Sequence, residues 1–128
     1  MTEGAVQIPG FLARQFYVSG SLRNTADGFR LEAQNPMGDG TLVGIGRIAV
    51  DGTDIPVDAI TAHREGDADA IAATAVSRAT PIAVRKGDRV TLHVRGEALA
   101  PGDHRLEVEL HERDLGTLRF SLTDQLGG

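Results

Sequence analysis

Cysteine is absent from the 128 residues. Disulfide staples, thiolate metal sites and a cysteine nucleophile are therefore excluded. Tryptophan is absent as well, and aromatic residues make up only 4% of the chain, too few for a platform on which bases could stack. The 13 lysines and arginines are interleaved with 18 acids, so no basic stripe exists to neutralise phosphates. No nucleic-acid partner is expected. No apolar run approaches the ~20 residues that would span a bilayer. The opening MTEGAVQIPG lacks the basic segment and apolar core of a secretory leader. The expectation is a cytoplasmic chain with no membrane partner.

What is present is the punctuation of a β protein. Sixteen glycines and five prolines divide the chain into short alternating runs. Residues 15–22 (QFYVSGSL) are aromatic and β-branched enough for a strand. Residues 22–34 form a strand–turn–strand, with Asp27-Gly28 expected to supply the positive φ of a tight hairpin. Residues 42–50 make another strand, ended by Asp51-Gly52. A short return follows, in which Pro56 marks an edge or a turn. Residues 89–95 alternate strictly, as do 105–111 after Pro101-Gly102, and Asp114-Leu115-Gly116 turns into 118–122. For 67–79 (DADAIAATAVSRA) a short helix and an irregular segment are equal readings, because alanine favours helix and Thr74 and Val76 do not. The fold class is all-β: an antiparallel β-sandwich of seven or eight short strands, with one short helix if 67–79 is helical. Residues 1–14 read as an N-terminal extension and 15–128 as a single domain.

The chemical motifs are weak when weighed singly. Residues 44–49 (GIGRIA) match the dinucleotide fingerprint G-x-G-x-x-A, yet a strand end and a turn follow where that fingerprint requires a helix. Its glycines are expected to relieve crowding instead. His63, His93, His104 and His111 show no metal-ligand spacing. His104 and His111 are seven apart and point to opposite faces of a regular strand. All four read as solvent-facing. Glu107 and Glu109 with Arg105 read as the wet, ion-paired face of a strand, and Asp67 with Asp69 as hydrated loop acids. No acid, base or nucleophile stands out, so the catalytic set in this chain is expected to be none.

The order of the pieces carries more than any one of them. Gly20-Ser21-Leu22-Arg23-Asn24 precedes Asp27-Gly28-Phe29, then Asn35-Pro36-Met37-Gly38. Ile48-Ala49-Val50-Asp51-Gly52 with Ile55-Pro56 comes next, and Leu99-Ala100-Pro101-Gly102-Asp103-His104 opens a late strand. This succession resembles the small β subunit of bacterial C-glycoside deglycosidases. The resemblance implies a non-catalytic β-sandwich that supports a larger TIM-barrel catalytic subunit and shapes a shared cleft for a sugar conjugate. Carbon–carbon cleavage of 3-oxo-C-glycosides would occur in that partner, with a divalent metal, manganese, there and no cofactor in this chain. Arg23, Asn24, Asn35, Pro36 and Met37 would then meet the partner. A second reading is a stand-alone, self-associating β-sandwich that binds carbohydrate or another small ligand. A third, an independent enzyme, has no nameable residue behind it.

Overall fold

The computed structural model describes residues 6–126. Two antiparallel-rich sheets face one another, as the alternation of apolar and polar residues requires. The first sheet runs β1 (Val6–Gln7), β11 (Gly116–Leu126), β10 (Gly102–Glu112), β4 (Gly40–Val50) and β5 (Thr53–Ile55), with β8 (Ile82–Val84) also on β4. The second runs β2 (Arg23–Thr25), β3 (Gly28–Gln34), β9 (Arg89–Arg95), β6 (Ile60–Arg64) and β7 (Ile71–Ala72). The β1–β11 pair is parallel, and the other pairs are antiparallel. The all-β sandwich therefore stands, with the seven or eight strands expected becoming eleven among the described residues once two- and three-residue strands are counted.

Alternation places the core. On β9 the apolar Val90, Leu92 and Val94 are buried and the residues between them are not. They meet Leu31 and Phe29 of β3 beside them, and Ile48, Val50 and Leu106 of the opposite sheet within one apolar cluster. Leu22, Leu31, Ile48, Ile60 and Leu106 are almost wholly enclosed. A smaller cluster joins Ile8, Val108 and Phe120 to Ala13 of α1 (Gly10–Phe16), the one α-helix among the described residues. There Phe16 stacks on Phe120 with ring centroids 6.4 Å apart.

Several local expectations change. Residues 15–22 are not a strand: α1 runs to Phe16, and Tyr17 makes only an isolated bridge to Ala33. Aromatic and β-branched content alone cannot separate a strand from a buried helix end packed on a sheet. Residues 6–14, read as extension, supply β1 and most of α1, and Ile8 and Ala13 are buried. Residues 67–79 contain β7 and a short 3-10 turn at Ala73–Ala75, with Ala73 and Val76 as core anchors. That leaves no α-helix in the alanine-rich run.

The two Asp-Gly pairs also differ in kind. Asp51 and Gly52 both have positive φ, 52° and 84°, and join β4 to β5 as a mirror-image hairpin turn does. Neither Asp27 nor Gly28 has positive φ. Gly28 is required for space, since a Cβ there would lie 1.9 Å from the carbonyl oxygen of Val94 on the neighbouring strand. That obstacle is backbone and cannot rotate away. Gly28→Ala is expected to destabilise the fold by about 3 kcal/mol, measured by denaturant unfolding, whereas alanine at exposed Gly38, which has open space around it, should be near neutral.

Candidate functional site

The long strands β4, β10 and β11 have eleven residues each, while β3 and β9 have seven. At one end of the sandwich the first sheet's inner face continues past the second, and α1 covers only part of it. What remains is a cleft of about 460 Å³. Its floor and walls are Leu42, Ile45, Leu110, Leu118 and Phe120 from the first sheet, Ala33, Val90 and Leu92 from the second, and Leu12 and Phe16 from α1. Residues 35–41 form one lip, and the β10–β11 turn forms the other. The two exposed large hydrophobic side chains among the described residues, Met37 (54%) and Leu115 (65%), stand on these two lips.

Buried polar groups build the mouth and are consumed in doing so. Glu112, at the inward end of β10, accepts the Thr41 N–H at 2.9 Å on Oε2. Its Oε1 accepts Asp114 N–H and Leu115 N–H at 2.8 Å each. One carboxylate thus ties both lips together. Burial pushes its pKa up, but the backbone donors outweigh this and hold it below the usual carboxylate value. Asn35 does the same for its own loop: Nδ2 donates to the carbonyls of Gly38 and Val84, and Oδ1 accepts the Met37 N–H.

A second cluster lies at the other end of β10. His104 is buried, and its Nδ1 and Nε2 stand 2.6 Å from Asp51 Oδ2 and from the Ala100 carbonyl oxygen. Both neighbours only accept, so both ring nitrogens donate and the ring is held as imidazolium. The Ala100 carbonyl and then the Asp51 carboxylate raise the His104 pKa. Asp51 is lowered by His104 and by Arg105 N–H, which reaches its Oδ1 at 2.9 Å. Nearby, Asn24 and Leu99 exchange two hydrogen bonds of 3.0 and 2.8 Å. The expectation that all four histidines face solvent fails at His104, because a carboxylate separated by 53 residues was invisible to local spacing.

The remaining sequence expectations sort plainly. Glu107 and Glu109 do share a wet face and pair with Arg47, Arg105 and Arg119. Gly44 and Gly46 lie in strand β4, where a Cβ would meet His111 at 2.8 and 2.7 Å, so they do relieve crowding. Asp67 is paired with Arg64. Among the described residues no group of three or more His, Asp or Glu is placed to hold a metal, and no helix is long and apolar enough to cross a membrane. Arg23 and Asn24 sit on β2 beside the start of β3, whereas Asn35, Pro36 and Met37 follow its end. Seven strand residues separate the two groups, roughly 20 Å, so the five do not form one patch.

The fold and its open end define a β-sandwich domain with an apolar mouth. Residues 12–127 match the family model described as hydroxymethylglutaryl-CoA reductase, N-terminal domain, and the chain belongs to that family. No curated protein matches it. The family match overturns the resemblance to a C-glycoside deglycosidase β subunit, and with it the role in carbon–carbon cleavage of 3-oxo-C-glycosides. The stand-alone, self-associating carbohydrate- or small-ligand-binding reading gains no support either. The physical reason is visible in the motifs. Asn24 clamps Leu99, Asp51 clamps His104, and Asn35 clamps its loop. These are fastenings that a sandwich of this kind needs whatever it does. The TIM-barrel partner and its manganese were implied by that resemblance alone, and no residue described here bears on them.

Two outcomes follow from these clusters. His104, with its raised pKa, contributes stability that is fully present below about pH 6.5 and lost as pH rises through its folded value. Asp51, with a lowered pKa, contributes above about pH 3.9 and loses it as pH falls through its folded value. The melting-temperature gap between wild type and His104→Asn should therefore be widest near pH 5 and narrow on both sides. A flat gap would contradict the imidazolium assignment. Glu112→Gln presents an amide N–H₂ to at least one backbone N–H, and should lower stability by about 1–3 kcal/mol in urea unfolding near neutral pH.

Proposed function

We propose that the chain serves as the N-terminal domain of a hydroxymethylglutaryl-CoA reductase-type protein or assembly, acting in the cytoplasm and contributing a rigid attachment end to it. The observation that carries this reading is the family match across residues 12–127. The chemistry of the cleft supports attachment over substrate binding. The ionisable residues that line it are Asp39, Glu112 and Asp114, all acids. Coenzyme A carries phosphates and hydroxymethylglutarate a carboxylate, and such groups are held by arginine, lysine or backbone N–H donors. At this mouth the N–H groups of Thr41, Asp114 and Leu115 are already taken by Glu112.

The test is to purify the chain, with everything that stays bound to it, from its native cells. With a reduced nicotinamide cofactor added as hydride donor, reduction of hydroxymethylglutaryl-CoA is then followed by cofactor oxidation together with release of the CoA thiol. Turnover is expected in that preparation, and removal of residues 12–127 should abolish assembly or lower turnover. A purified assembly inert toward hydroxymethylglutaryl-CoA would overturn the reading.

A further inference from the structure

We propose that the cleft at the open end of the sandwich is the docking site for an amphipathic helix of a partner polypeptide, one with an apolar stripe flanked by lysine or arginine. This stands whether or not the partner is a reductase. About 460 Å³ lies within the range of roughly 300–1,000 Å³ that binding clefts occupy. The wall is apolar, and its polar side chains are already paired: Gln34 with the Gln15 carbonyl, Asn35 within its loop, Glu112 with three N–H groups. An occupant therefore finds mainly apolar contact here, since no buried side-chain nitrogen or oxygen among the described residues lacks a partner.

Three observations select a helix. First, Met37 and Leu115, 54% and 65% exposed, stand on the lips. A small molecule held within the cleft would leave both in water, whereas a segment lying across the mouth covers them and gains that burial. Second, the β3 edge beside the mouth is already engaged. Glu32 binds Val18 N–H and the Ser21 hydroxyl, and Tyr17 bridges Ala33. A docking strand would find no free ladder there, while a helix satisfies its own backbone. Third, the ionisable lining residues are acids. Asp39 and Asp114 are exposed at the rim, and Arg113 offsets Asp114 only through a solvent-exposed contact of 3.3 Å. A basic flank complements this rim and an acidic one is repelled. Met37 suits the role further, since methionine repacks readily around apolar side chains.

The absence of tryptophan from the chain makes the test direct. A synthetic leucine–lysine amphipathic helix of about 15 residues, carrying one tryptophan, is titrated with the protein and its fluorescence followed. A leucine–glutamate peptide with the same apolar stripe is the control. Saturable binding of the lysine peptide is expected, with the glutamate peptide at least about tenfold weaker. Met37→Asp and Leu115→Asp should each weaken the lysine peptide several-fold although they add negative charge, with unchanged melting temperatures, since both side chains are exposed. If both peptides bind alike, if neither binds, or if the aspartate variants bind as well or better, the proposal is overturned. The last result would reduce the attraction to the chain's net charge of −5.

Discussion

The length of the β10–β11 hairpin governs the rest of the molecule. Its two strands pair without interruption from Gly102↔Leu126 to Glu112↔Gly116, and β4 follows β10 from Leu106 to Glu112 with two register shifts. The opposite sheet is shorter, so apolar residues on the inner face of the hairpin's far end lack a sheet partner. Water cannot be left against Phe120 and Val108 without losing much of the core's stabilisation. The chain answers by laying α1 over them and bending residues 35–41 across the remainder. Helix, lip and cleft are consequences of one mismatch in strand length.

Polar groups hold this arrangement by tying distant segments together. Glu112 joins the two lips, Asn24 joins β2 to the loop before β10, and Asp51 joins the β4–β5 turn to His104. The carboxylate and amide oxygens accept from backbone or ring N–H groups, and the Asn24 amide N–H donates to the Leu99 carbonyl. No buried side-chain nitrogen or oxygen among the described residues is left unpaired. These clamps also explain why the sequence looked as if it carried functional motifs. A fastening at fixed spacing and a contact site at fixed spacing leave the same kind of trace.

How legible the molecule was depends on the range of the interaction concerned. The β9 run and the inward face of β10 could be read from alternation, because a period of two is a local property. The Asp51-Gly52 turn was legible too, and the Gly44 and Gly46 reading held since glycine in a strand has few other uses. The helix ending at Phe16 was missed, because its apolar face is defined by Phe120, more than a hundred residues away. Gly28 was recognised as necessary for the wrong reason: positive φ was expected, and proximity to Val94 is what demands it. The cleft left no local signal, as it is made from strand ends on both sheets. Of the two exposed lip side chains, Met37 stood among the five residues expected at a partner contact, while Leu115 was read only as part of a turn.

The Tyr17–Asp124 hydrogen bond has a consequence for the order of assembly. Its 2.5 Å contact joins residues separated by 107 positions, and the parallel β1–β11 pair closes a similar distance. Closing such loops is entropically slow, and chains dominated by remote pairings fold late along their whole length. As the chain is synthesised, the inner faces of β4 and β10 therefore stand exposed until β11 has emerged. Burial of the single tyrosine against Asp124 would mark the moment the sandwich seals, and before it the nascent chain is most open to unwanted association.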